Sequence, residues 1–175
     1  MGDIYIRSRS HAVSPDGRCF ATATGACNIA LWDTDTGTHI ATLEHANSIF
    51  SLKFLANGQL VSGNDDGKIS LWDTVTGSRV QTVDAHSYWI LSLSASQSKL
   101  ASASKESVRV WDTETWECIH TFECDDWVRS VALYPNGERV GACTVEALYV
   151  WDTATQQLIA SKNISGYIQD RKSVV

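Results

Sequence analysis

The sequence predicts an all-β protein built of four four-stranded antiparallel blades in a propeller arrangement. Three observations predict it. The stretch Leu31-Trp32-Asp33-Thr34 returns as Leu71-Trp72-Asp73-Thr74, Val110-Trp111-Asp112-Thr113 and Val150-Trp151-Asp152-Thr153, so the tryptophans advance by 40, 39 and 40 residues. A period of roughly 40 residues closing on Trp-Asp is the mark of a propeller blade. Each period also holds four short alternating runs separated by turn residues, the pattern of an antiparallel meander. Finally, the third run is apolar on both faces, with Ile29 and Leu31, Ile69 and Leu71, Val108 and Val110, Leu148 and Val150 on one and the tryptophan on the other. Such a sheet needs cover on both sides, which a radial stack of blades supplies.

Taken in order, the first run shows best as Phe50, Leu52 and Phe54 on one strand face. Leu91 and Leu93, then Val131 and Leu133, take the matching places, and the opening unit puts Arg9, His11 and Val13 there. Ser14-Pro15-Asp16-Gly17, Ala56-Asn57-Gly58 and Tyr134-Pro135-Asn136-Gly137 supply the following turns, Pro presetting φ and Gly allowing φ > 0. The second run is small (Ala21-Thr22-Ala23, Val61-Ser62-Gly63, Ala101-Ser102-Ala103, Val140-Gly141-Ala142), as expected where sheets approach closely. After each tryptophan comes a turn, and the fourth runs are Ile40 to Leu43, Val80 to Val83, Ile119 to Phe122 and Leu158 to Ala160. Blades therefore fall at about 4–43, 46–83, 87–122 and 125–164 within a domain of residues 1–164, leaving 165–175 as a polar tail.

Length and composition narrow the functional classes. A chain of 175 residues is one domain by size. Fourteen basic against twenty acidic residues, with no basic run, disfavour nucleic acid as a partner, and no apolar stretch is long enough to span a bilayer. Five cysteines without CxxC pairs point to reduced thiols and a cytoplasmic or nuclear setting. No secretory or lipidation signal opens the sequence.

The four in-register copies resemble the WD-repeat (WD40) propeller family. The resemblance implies a non-enzymatic scaffold for protein or peptide partners, with no cofactor. It also implies that a hydrogen-bonded tetrad of His, Ser or Thr, Asp and Trp locks a blade. The second unit matches that tetrad with His45, Ser62, Asp66 and Trp72, and is expected to be the most rigid. The third keeps His86, Ser102 and Trp111 but has Lys105-Glu106 in a shorter turn; the first has Thr22 and Trp32 with Ala26 at the Asp place. The fourth keeps Trp151 alone, with Cys124 at the His place and Gly141 at the Ser place.

The strongest binding signal is a line of residues at one rim. Just before the first run stand Arg7, Ser48, Trp89 and Trp127; two positions on come Arg9, Phe50, Leu91 and Arg129, with Tyr88 and Asp126 alongside. In the family this rim resembles the partner-binding face, and Trp and Arg dominate interface energies. Other strings read as structure: His45, Ser62 and Asp66 imitate a hydrolase triad but decay along the repeat, and Cys118, His120 and Cys124 lack a fourth zinc-like ligand.

Four blades are few, because the family's rings usually hold more. An open arc leaves an apolar blade face at each end, so a homodimer through the end blades is a second expectation, beside a tight four-bladed ring or a longer protein.

Overall fold

The computed structural model describes residues 10–25, 27–105 and 107–164. Arg7, Arg9, Ala26, Glu106 and the tail from 165 to 175 lie outside the described residues. Among the described residues sixteen strands form four sheets, each a meander of consecutive antiparallel strands. Blade one comprises β1 (His11–Val13), β2 (Cys19–Ala23), β3 (Asn28–Asp33) and β4 (His39–Glu44); blade two, β5 (Ile49–Phe54), β6 (Leu60–Asn64), β7 (Lys68–Trp72) and β8 (Arg79–Asp84). Blade three comprises β9 (Ser92–Ala95), β10 (Lys99–Ala103), β11 (Ser107–Asp112) and β12 (Cys118–Glu123); blade four, β13 (Ser130–Leu133), β14 (Arg139–Cys143), β15 (Ala147–Asp152) and β16 (Leu158–Asn163). No described residue is helical.

The repeated Asp-Thr acts as a turn-maker. At Asp33, Asp73, Asp112 and Asp152 one carboxylate oxygen accepts the backbone amides two and three residues on, at 2.7 to 3.1 Å. These bonds hold all four carboxyls below the usual carboxylate range, the Thr36 hydroxyl contributing most at Asp33 and the threonine amide at the other three. The residue closing the turn is left-handed in every copy: Gly37, Gly77, Trp116 and Gln156. The turn keeps its shape in the later units even though glycine is gone.

The core sits between blades. Ala21, Ala23, Ile29, Leu31 and Leu43 of blade one pack against Leu52, Phe54, Leu60 and Trp72 of blade two. Val61, Ile69 and Leu71 of blade two meet Leu93, Leu100 and Trp111 of blade three. Val108, Val110 and Phe122 of blade three meet Val131, Val140 and Trp151 of blade four. The contact is close enough that a Cβ on Gly63 would stand 2.5 Å from Ile90 Cγ2, which accounts for the small second strands.

The blades are also stitched at their inner strands. The hydroxyl of Ser10 accepts the Leu52 amide (2.8 Å), that of Ser51 the Leu93 amide (2.9 Å), and that of Ser92 the Val131 amide (3.2 Å). The first strands of blades two, three and four thus satisfy an outward amide on the preceding blade. Val13, Leu52, Leu93 and Leu133 from the four first strands line one axial groove of about 720 Å³.

Among the described residues the arc is open: no apolar core joins blade four to blade one. Trp72, Trp111 and Trp151 are buried, whereas Trp32 is half-buried and Leu148 is 41% exposed.

Candidate protein-binding rim

The meander fixes which loops share a rim. One end of the arc carries the starts of the first strands, the turns between second and third strands, and the connections between blades. The other end carries the remaining turns, including Asp73 to Ser78.

At the first rim three blades contribute to a continuous aromatic surface. The Phe50 ring stacks on Trp89 at 5.3 Å and 15°, and Trp89 meets Trp127 edge-on at 6.2 Å. The Arg129 guanidinium lies 5.7 Å from the Trp127 ring, and the Lys105 ammonium 4.8 Å from that of Tyr88. Tyr88 is 51% and Trp89 47% exposed. Asp126 is half-buried and accepts the Trp127 amide at 2.6 Å, and Leu91 is half-buried. Ser48 stands apart from the aromatic line, its hydroxyl 4.0 Å from Cys27 Sγ.

Local backbone explains the line. The register shifts between Ile49 and Ser51, so Phe50 leaves the face it would share with Leu52 and Phe54 and reaches Trp89 instead. Periodicity alone assigns Phe50 to the Leu52 face, since a bulge has no signature in alternation. Lys105 was missed by the sequence reading. Its signal is positional, because it lies in the shortened turn of the third unit facing Tyr88.

The tetrad is arranged differently from the sequence expectation. In the second blade Trp72 Nε1 donates to Ser62 Oγ at 3.0 Å. His45 does not extend the relay: its Nδ1 accepts the Asn47 amide, its buried Nε2 has no partner among the described residues, and its ring tilts against Trp72 at 5.7 Å. Asp66 accepts the Lys68 amide within its own turn. The longer relay is in the third blade, where Trp111 Nε1 donates to Ser102 Oγ (2.9 Å), Ser102 Oγ meets His86 Nε2 (2.7 Å), and Ser107 Oγ lies 3.4 Å from His86 Nδ1. Ser107 thus serves where the expected Asp is absent. Blade one has Trp32 bonded to Thr22 at 3.1 Å. In blade four Trp151 stacks between Phe122 and Tyr149, at 5.0 and 5.3 Å. Cys124 joins that core, and burial pushes its thiol up to about 12.

Burial, reinforced by Arg109, lowers His86 to about 4. The unfolded residue takes its proton near pH 6.5, so between about 6.5 and 4 the unfolded chain binds more protons than the folded one. Stability is therefore complete above pH 6.5 and falls by about 3 kcal/mol as the pH drops to 4. His45, also lowered by burial first, acts in the same direction. Urea midpoints at pH 7.5, 5.5 and 4.5 should decline in that order; a flat profile would contradict the buried neutral imidazole.

Comparison with known proteins gives the class. Residues 37–73 and 77–112 match the family described as WD domain, G-beta repeat. Together with the four in-register blades, this shows that the chain belongs to the WD-repeat family. Over 128 residues it is 33% identical to COMPASS component SWD3 of Saccharomyces cerevisiae (strain ATCC 204508 / S288c), an alignment covering 70% of this chain and 41% of that protein. The chain thus spans well under two thirds of that relative's length. No helix among the described residues is long and apolar enough to cross a membrane.

Proposed function

We propose that this chain is a non-enzymatic scaffold that binds a protein or peptide through the rim carrying Phe50, Tyr88, Trp89, Trp127 and Arg129. The observation that carries this reading is the unbroken aromatic line across three blades, ending in a cation and half open to solvent. Rigid, packed aromatics offer contact area at little entropic cost, and Trp and Arg are the usual hot-spot residues. Arg129 and Lys105 stand beside the rings in a chain of net charge -6. The surface therefore suits an apolar side chain flanked by a carboxylate. The similarity to a protein named as a component of COMPASS supports a role in assembly. Ser48, Leu91 and Asp126 would border the platform. The five free cysteines fit a reducing setting, cytoplasmic or nuclear.

The test is capture by immobilised protein. Replacing Trp89 and Arg129 together with Ala should cut recovery of the partner at least thirtyfold, the effect of about 2 kcal/mol at a hot spot, with the melting temperature nearly unchanged. Undiminished recovery of every captured protein would refute the reading.

A second reading, self-association through the end blades, is supported by the half-buried Trp32 and exposed Leu148.

A further inference from the structure

The three internal interfaces follow one plan, and the two ends of the arc are the unmatched halves of a fourth. On the blade-one side, Val13, Phe20 and Trp32 are cross-strand partners on a single face. This face corresponds to the one by which Phe54, Leu60 and Trp72 receive blade one. Here it is uncovered: Val13 is 52% exposed, and an apolar pocket lies over Phe20, Thr22 and Trp32. On the blade-four side, Leu148 and Val150 occupy the places of Ile29 and Leu31, which are fully buried against blade two.

The polar ties leave matching ends as well. Ser10, Ser51 and Ser92 each accept the amide of the next blade, at Leu52, Leu93 and Val131. The fourth serine in the series is Ser130, exposed and without a hydrogen bond from its hydroxyl among the described residues; the amide equivalent to those donors in blade one is that of His11. A second tie repeats the logic. Lys99 at the start of β10 donates to the Gly137 carbonyl (3.1 Å) and Thr153 hydroxyl (3.2 Å) of the following blade, where Thr153 itself donates to Gly137. The equivalent cation of blade four is Arg139, exposed at the start of β14. The equivalent receiving pair in blade one is already formed, with Thr34 donating to the Gly17 carbonyl at 2.6 Å.

We propose that a second copy of this chain docks head to tail, blade four of one copy on blade one of the other. Ser130 then accepts the His11 amide, Arg139 reaches the Gly17 carbonyl and Thr34 hydroxyl, and Leu148 and Val150 cover Phe20 and Trp32. The occupant is a second copy because both halves of the interface, apolar face and polar ties in one register, are present on the same chain. Such an interface is heterologous, and two fourfold arcs joined twice would close. The inference gives residues to the self-association reading and rests on it. It is independent of the rim, which neither substitution below touches.

The test is mass by light scattering of the full chain up to about 100 μM, a range that detects micromolar association. The expected result is a concentration-dependent rise to twice 19.2 kDa. Val13→Glu and Leu148→Glu, both at exposed positions that leave the circular dichroism unchanged, should each hold the chain at 19.2 kDa. Mixing the two variants should restore association, because one unaltered contact remains between blade four of the Val13 variant and blade one of the Leu148 variant. A wild-type chain that stays monomeric, association that survives either substitution, or a mixture that fails to associate would each overturn the proposal.

Discussion

Gly67→Ala is expected to lower the stability of the fold by about 3 kcal/mol or more, from the combined cost of a left-handed alanine and an overpacked contact. Gly67 has φ +78°, and a Cβ there would lie 2.0 Å from the His86 carbonyl oxygen and 2.9 Å from that of Tyr88. Both atoms are backbone, so no side chain can swing aside. The Gly67 carbonyl also accepts the Ala85 and His86 amides, at 3.1 and 2.8 Å. The turn of blade two therefore holds the connection that presents Tyr88 and Trp89. For a domain of this size the loss corresponds to a fall in melting temperature of roughly 6–12 °C. Partner capture should weaken with it, since the displaced segment carries half the aromatic line. A change below about 0.5 kcal/mol, the range of ordinary surface substitutions, would show that the backbone approach is not as close as described.

Ser102→Ala should cost about 2–4 kcal/mol, because one fully buried oxygen serves two buried groups and its loss leaves both unsatisfied. Trp111 Nε1–H loses its acceptor, and the buried His86 Nε2 loses its hydroxyl partner. The second blade provides an internal comparison. Ser62→Ala removes only the bond from Trp72, His45 Nε2 being already without a partner, and should cost about half as much. Urea unfolding of the two variants decides the order. Equal losses would mean that His86 contributes nothing through Ser102.

The parts of this fold that depend on residue type at a fixed spacing were readable from the sequence. Trp-Asp recurs because the turn needs an aspartate to accept the amides two and three residues on, and the tryptophan needs a blade to cover it. The turn survives with Trp116 and Gln156 at its left-handed position, so loss of glycine in the later units did not signal loss of the turn. Orientation was not readable. His45, Ser62, Asp66 and Trp72 have the residue types for a tetrad, yet residue type does not dictate which way an imidazole faces, and the longer relay formed around His86 with Ser107 in the acid's place. Phe50 was selected for the rim by alignment and assigned to a core face by alternation; the register shift beside it decides for the rim. The serine stitch was present in the sequence as Ser10, Ser51, Ser92 and Ser130 at equivalent places, but serine at a strand edge has no distinguishing mark until its acceptor role is seen.

Whether partners meet the aromatic rim is tested most directly by site-specific photo-crosslinking. A photoreactive phenylalanine at position 88, replacing the exposed Tyr88, is compared with one at position 75, replacing Val75, which is 94% exposed in a turn at the opposite end of the arc. Discrete adducts with a partner are expected from position 88, abolished by Trp127→Ala, with none from position 75. Adducts from position 75 with none from position 88 would contradict binding at the rim.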